Sequence, residues 1–419
     1  MNILLVHQNF PGQFRHLAPA LVADPRHRVV GFTMSAASSP PGIQMVRYKP
    51  GRGNTPGVHP WVSDIESKVI RGHVAFKAGC KMRDEHGFQP DVIFAHHGWG
   101  ESLFLKEVWP KARVLIYCEW YYPLHGADVG FDPEFLKNDA ESLCRLRMKN
   151  THNLLCMEEA DAGISPTEWQ ASTHPAWFRP RIRVIHDGVD TRRIAPNPQL
   201  QNLKLTIPAD DACQIAGGEV VLNRGDEIIT FVNRNLEPYR GYHIFMRALP
   251  ELLRRRPKAR VVIVGGHGTS YGAWPSRGTW KQIFLDEVRG GLDLSRVHFV
   301  GNLPYSSFIG LLQLSTVHTY LTYPFVLSWS LLETMACEGA IVASDTAPVR
   351  EVITEGETGR LVDFFSPGEL TDRICELLDD PAQRARLGRQ ARQRVVERYD
   401  LNSICLPAQI ALVNELAQG

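Results

Sequence analysis

Two successive series of short apolar runs, spaced by helical stretches, limit what this chain can fold into. The first series comprises residues 3–6, 29–32, 92–95, 114–117, 162–165 and 184–186. After residue 225 the pattern restarts with 228–232, 261–264, 297–300, 317–321 and 341–344. Runs that are largely apolar, rather than alternating, are buried on both faces, as parallel strands are between two layers of helices. Two such series predict an α/β chain of two Rossmann-like, doubly wound domains. Ligands of open parallel sheets bind at the carboxyl ends of the strands, so two facing sheets would hold theirs in an inter-domain cleft.

The N-terminal domain is expected over 1–195, ending just after Asp187-Gly188-Val189-Asp190, and the C-terminal domain over 196–395. Residues 197–224 lack sustained periodicity and contain Pro208 and Gly217-Gly218, as an inserted loop or linker would. From about 381 to 416 the composition is helical, and 396–419 is expected to pack back on the N-terminal domain. The arginines at 384, 386, 389, 392 and 394 read as a solvated helix face.

The formal charge of +1 provides no global field for nucleic acid, so phosphate binding must come from local arrangement. The eight cysteines form no CxxC pair and no zinc-finger spacing, and read as buried thiols in a reducing compartment. The start Met1-Asn2-Ile3-Leu4 lacks a signal-peptide pattern, and no apolar run approaches the roughly 20 residues of a membrane span. A cytoplasmic location is expected, with weak peripheral association at the inner face of the cytoplasmic membrane left open.

Three loops after apolar runs carry candidate chemistry. His7 to Arg15 follows the first run, and Gly12 there, a donor-side candidate, lets backbone approach a ligand. It is not a GxGxxG loop, and by itself it reads as an ordinary strand-to-helix turn. Asn233-Arg234-Asn235-Leu236-Glu237-Pro238-Tyr239-Arg240-Gly241 places two guanidiniums six residues apart, able to grip a diphosphate with planar, permanently charged forks. Tyr323 to Ala336 turns into a helix near Ser328, whose first amides (Ser328, Trp329, Ser330) would make an anion site. Glu333, one turn further, is an acceptor suited to a ribose diol or a support for that first turn.

Taken in order, Asn233-Arg234, Arg240-Gly241, Val264-Gly265-Gly266, Val300-Gly301, Leu332-Glu333-Thr334-Met335-Ala336, Ser344-Asp345 and Gly356-Glu357-Thr358-Gly359 resemble glycosyltransferase family 4, retaining enzymes of the GT-B fold. The resemblance is strong in the C-terminal half and looser in the N-terminal half, where Gly12, His96-His97-Gly98, Ser165 and Asp187-Gly188 carry it. It implies that Arg234 and Arg240 hold a donor diphosphate, Glu333 the ribose, and Gly301-Asn302-Leu303 the nucleobase. Lys is commoner at the place of Arg240. The first glutamate of the family's Glu-seven-Glu signature is replaced by Phe325, so sugar recognition must differ, for instance through the amides and hydroxyls of 326–329. The stretch 323–330 resembles a bacterial subgroup linked to exopolysaccharide and envelope-polysaccharide assembly.

Where family members often place a histidine after the fourth strand, this chain has Glu119, able to stabilise oxocarbenium charge or orient an acceptor hydroxyl. A buried, paired structural carboxylate is the plain alternative. His96, His97, Trp99, Trp120 and Tyr121 are acceptor-side candidates, with core packing an equal account of the aromatic ones. The expected function is metal-independent transfer of a hexose from a nucleotide-diphosphate sugar, UDP-glucose favoured, to a glycan or lipid-linked acceptor. No Asp-x-Asp triplet occurs, and no metal or cofactor beyond the donor is expected. The rival readings are a nucleotide-sugar epimerase of similar fold and a non-catalytic sugar-nucleotide-binding subunit.

Overall fold

Parallel pairing of the apolar runs builds two sheets in the computed structural model, which describes residues 1–36, 40–135 and 140–418. The chain divides into one unit of Met1–Gly188 with Leu401–Gly419 and a second of Val189–Asp400. The boundary thus lies at 188/189 rather than 195/196, and the return at 400/401 rather than 395/396.

The first unit contains β1 (Asn2–Val6), β2 (Arg28–Thr33), β3 (Gln44–Arg47), β4 (Val92–Ala95), β5 (Arg113–Tyr117), β6 (Ala162–Ser165) and β7 (Ile182–Val184). Their order is β3-β2-β1-β4-β5-β6-β7, parallel throughout. The order reverses between β1 and β4, the switch point at which such sheets open a crevice. Alternate residues of β1 enter opposite cores. Leu4 and Val6 join Ile93, Ile116 and Met82, whereas Ile3 and Leu5 join Phe94, Leu115 and Leu21.

The second unit contains an antiparallel pair, β8 (Asn202–Ile207) and β9 (Gly218–Asn223). Six parallel strands follow: β10 (Ile228–Asn235), β11 (Arg260–Gly266), β12 (Val297–Gly301), β13 (Val317–Tyr320), β14 (Ile341–Ser344) and β15 (Arg360–Val362). Their order is β12-β11-β10-β13-β14-β15, with the switch between β10 and β13. One face packs on helices Tyr305–Leu314, Trp329–Ala336 and Pro381–Tyr399. On the other, Phe231 of β10 stacks on Phe245 of helix Tyr242–Arg255, ring centres 4.5 Å apart.

Several sequence expectations need correction. The stretch 197–224 is no plain linker, because β8 and β9 pair over their full length within it. Its signal was a period of two, with Leu203, Leu205 and Ile207 alternating with Asn202, Lys204 and Thr206. The run at 184–186 is strand only over Ile182–Val184. Edge strands β3 and β15 are too short and too polar at their ends to register as apolar runs.

The helical tail is two helices. Asp380 caps the first by accepting from the Gln383 amide at 2.8 Å, with Pro381 at the first helical position. That helix ends at Tyr399, and Leu401–Cys405 forms a wide π turn. The second, Leu406–Gln418, buries Leu412 and Val413 in the core that holds Ile3, Leu5 and Phe94.

Candidate functional site

Two groups of the predicted residues sit at the carboxyl ends of strands, one in each unit. In the first unit, His7 follows β1 and His96 follows β4, and the pairing Val6↔Ala95 sets the two side by side. Their ring centres are 5.2 Å apart. Each imidazole Nδ1 accepts the backbone amide two residues on, Asn9 at 3.0 Å and Gly98 at 3.3 Å. A backbone amide can only donate, so a neutral ring in this position carries its proton on Nε2.

From those two Nε2 atoms a polar chain converges on Glu119. His7 Nε2 donates to Gln13 Oε1 (2.7 Å), and Gln13 Nε2 donates to Glu119 Oε1 (3.3 Å). His96 Nε2 donates to Glu119 Oε2 (3.2 Å). Both carboxylate oxygens are therefore engaged, and the Glu119 side chain keeps 36% of its surface exposed. Burial first, then the charge of His96, holds the His7 imidazole down at about 4, so the ring stays neutral at working pH. Trp99 stacks on His96 at 4.3 Å and Tyr117 stacks at 5.3 Å on the same ring.

Gly12 has a role that its spacing does not reveal. Its φ is +46°, and a Cβ there would lie 2.1 Å from His7 Nε2. The missing side chain makes room for the imidazole.

The other acceptor-side candidates do not join this group. His97 is 2% exposed, and neither ring nitrogen has a hydrogen-bond partner among the described residues. Its neighbour is His152, with ring centres 6.2 Å apart. Trp120 is 7% exposed and packs against Trp169, so core packing is its observed role. Half-buried Tyr121 lies 6.0 Å from the His174 ring. Both His97 and Trp120 are thus buried, in keeping with the core-packing alternative rather than with the lining of an accessible pocket.

In the second unit, the two arginines differ. Arg234, at the carboxyl end of β10, is exposed and makes no side-chain hydrogen bond or ion pair among the described residues. Arg240 is 5% exposed. Its Nη1 donates to Thr322 Oγ1 and to the Val326 carbonyl, both at 2.9 Å. Its guanidinium also lies 5.2 Å from the Tyr271 ring centre and 5.9 Å from that of Phe325. Arg240 therefore ties down the loop that leads into helix Trp329–Ala336. The Ser328 amide is committed as well, donating to the Tyr320 hydroxyl at 2.8 Å.

Phe325 fills the place of the absent glutamate as part of an aromatic group. It is 5% exposed, 4.9 Å from Tyr271 and 5.6 Å from Tyr239. Of the amides and hydroxyls of 326–329 expected to serve in place of that glutamate, the Ser328 amide is already used within the protein. Tyr271 is brought in by the stretch 266–279, which Glu237 and Asn235 hold. Glu237 Oε2 accepts the amides of Ser270 and Tyr271 at 3.0 Å each. Asn235 Oδ1 accepts the Gly268 amide (3.1 Å), and its Nδ2 donates to Ser270 Oγ (2.6 Å). Burial lifts the Glu237 carboxyl to about 7.

Helix Trp329–Ala336 is capped by Ser328, whose hydroxyl accepts the Ser330 amide. Trp329 is 37% exposed at its start. Glu333, 8% exposed, accepts a 2.6 Å hydrogen bond from the Tyr305 hydroxyl. Gly301 and Leu303, with Asn302, line an open groove at the carboxyl ends of β11 and β12. Sequence reasoning placed His7, Gln13 and Glu237 in candidate loops without giving them roles, and it did not single out Tyr271 or Tyr305. The last two are recruited from loops distant in sequence.

Residues 25–194 match the family described as "Glycosyl transferase family 4 group", and residues 218–394 match "Glycosyl transferases group 1". The chain belongs to glycosyltransferase family 4. This family 4 glycosyltransferase is 28% identical over 211 residues to the D-inositol 3-phosphate glycosyltransferase of Corynebacterium efficiens. That match spans 50% of this chain and 48% of the relative, about half the relative's own length. It is 23% identical over 348 residues to the glycogen synthase of Mycobacterium tuberculosis, spanning 80% of this chain and 72% of that one.

Among solved structures, sucrose-phosphate synthase from Thermosynechococcus elongatus superimposes with a TM-score of 0.72 at 16% identity over the whole of both chains. Anabaena Alr3699/HepE in complex with UDP-glucose does so with 0.64 at 15%, covering 99% of each. These neighbours show the GT-B fold. Among the described residues no helix is long and apolar enough to cross a membrane.

Proposed function

We propose that this glycosyltransferase is a retaining hexosyltransferase that moves glucose from UDP-glucose to a hydroxyl of a glycan or lipid-linked acceptor in bacterial polysaccharide assembly. The observation that carries the reading is the exposed Arg234 on β10. The loop fixed by Arg240 leaves the neighbouring strand β13 and runs into a capped helix bearing Glu333. That arrangement suits a nucleoside diphosphate, with the phosphates toward Arg234 and the helix start and the ribose diol toward Glu333. The choice of uridine and glucose is supported by Anabaena HepE, a neighbour of the same fold solved with UDP-glucose.

In this reading the acceptor oxygen bonds to the anomeric carbon as the bond from that carbon to the diphosphate oxygen breaks. The acceptor proton passes to the departing diphosphate on the same face. Charge growing on the leaving group is met by Arg234 and by the positive end of the helix Trp329–Ala336 dipole. Arg240 holds the loop that leads into that helix. Glu119, fixed by Gln13 and His96, orients the acceptor hydroxyl. With cationic side chains and the helix dipole supplying the charge, the reaction needs no metal, and turnover should persist in excess chelator.

Thermal unfolding with UDP, GDP, ADP and their hexose conjugates tests the donor, with the largest stabilisation expected from UDP and UDP-glucose. NMR of the product should show the donor's anomeric configuration. An inverted product, or an epimerised sugar nucleotide in the absence of acceptor, would overturn the reading.

A further inference from the structure

The groove beside Gly301 has one wall that the family's motifs do not account for. It holds about 730 Å³, within the roughly 300–1,000 Å³ of small-molecule sites. Its floor is formed by Gly265 to Gly268 at the end of β11 and by Gly301 to Pro304 at the end of β12. The outer wall comes from the β8–β9 hairpin, through Lys204, Thr206, Pro208 and Ala209. Pro208 approaches Gly301 so closely that a Cβ on that glycine, whose φ is +64°, would touch it at 3.4 Å.

The hairpin is a fixed wall. Leu205, Val220 and Leu222 are buried in the same core as Val300, Ile309 and Leu312. The loop beyond β8 is pinned at two points. Asp210 receives Lys281 Nζ at 2.6 Å, with both side chains largely buried, and Arg289 donates to the Cys213 carbonyl at 2.7 Å. Thr206 and Pro208 themselves are exposed toward solvent.

Position gives the groove its chemistry. Asn235, the residue after Arg234, and Pro304, the residue before Tyr305, both line it, and the Tyr305 hydroxyl bonds to Glu333. A group placed there lies next to the ribose position at Glu333. In a nucleoside diphosphate the group that the ribose carries is the base. Pro208 and Leu303 offer apolar faces for a flat ring, while Thr206 and Asn302 offer hydrogen-bonding groups for its edge.

We infer that the β8–β9 hairpin is the base-selecting wall of the donor site, with Thr206 and Pro208 deciding which nucleoside diphosphate is admitted. The inference rests on the reading of the second unit as the donor-binding one.

Calorimetry on the full chain with UDP, GDP, ADP and inorganic pyrophosphate tests it, comparing the parent with Thr206→Trp, Pro208→Trp and the milder Thr206→Val. The Trp variants should bind UDP roughly tenfold or more weakly, with pyrophosphate affinity held within about twofold. Thr206→Val, which keeps shape and loses the hydroxyl, should change the ratio of UDP to GDP affinity. Nucleotide affinities and ratios equal to the parent in all three variants would overturn the inference, as would equal losses for UDP and pyrophosphate. A parent chain that binds no nucleoside diphosphate would instead remove the donor reading beneath it, an outcome distinct from unchanged variants of a binding parent.

Discussion

Gly12 and Glu101 show how single positions trade packing against chemistry. Adding a methyl group at Gly12 drives it into the His7 ring, and the positive φ adds strain of about 1–2 kcal/mol. Gly12→Ala should therefore displace His7 and, through Gln13, disturb Glu119. Transfer should fall while donor binding, measured by calorimetry, changes little. A crystal structure with His7 unmoved would refute the clash. Glu101 is fully buried and accepts no hydrogen bond from another residue among those described, and burial lifts its carboxyl from 4.5 to about 7. A raised carboxyl supports the fold most below 4.5, and that support is lost as pH climbs through 7. Glu101→Gln removes the titration. It should raise the unfolding temperature relative to the parent at pH 8 and much less at pH 5, the difference approaching roughly 3 kcal/mol. An equal shift at both pH values would show that the charge is not the cause. The motif at 233–241 made the arginines legible in the sequence, but not the burial of Arg240, which depends on Thr322 and Val326 of the loop after β13.

At the scale of elements, the loop between β13 and helix Trp329–Ala336 is shaped by what crosses it. Two bonds from Arg240 and one from the Ser328 amide to the Tyr320 hydroxyl fix it before any ligand is bound. Arg240→Ala should lower kcat/KM for the donor by roughly two orders of magnitude, while Arg240→Lys, able to reach the same carbonyl, should stay within about tenfold of the parent. Equal losses in the two variants would mean that the planar fork itself, and not the tethering of the loop, is what matters. The strands of both sheets that run through the centre were readable because burial on two faces leaves long uninterrupted apolar runs. The hairpin was not, because its outer face is wet and its alternation is short. The strap carrying Tyr271 offered no signal at all, being held by Glu237 and Asn235, whose partners lie more than thirty residues away.

For the molecule as a whole, the two-unit division follows from where apolar side chains find partners. Leu412 and Val413 complete a core whose other members lie before Gly188, so helix Leu406–Gln418 belongs to the first unit although it follows the second in sequence. Removing 401–419 should expose that core, at about 1.5–3 kcal/mol for each large side chain uncovered. Hydrogen exchange should then rise in β1, β4 and β5 and stay unchanged in β10 to β14. Exchange rising equally in both units would show that their stabilities are not separable in this way. Unit 2 was legible as a contiguous domain. The ownership of the last helix could not be read from its pattern, because periodicity shows that a helix has an apolar face without showing which core receives it.

The same crossing sets an order of events during synthesis. A chain leaving the ribosome exposes β1 to β7 first, yet that sheet must wait with part of one face uncovered until the final helix emerges. Val189–Asp400 needs nothing made later than itself. The unit translated first is therefore the one finished last, and its waiting apolar surface is where a chaperone would find this protein during synthesis.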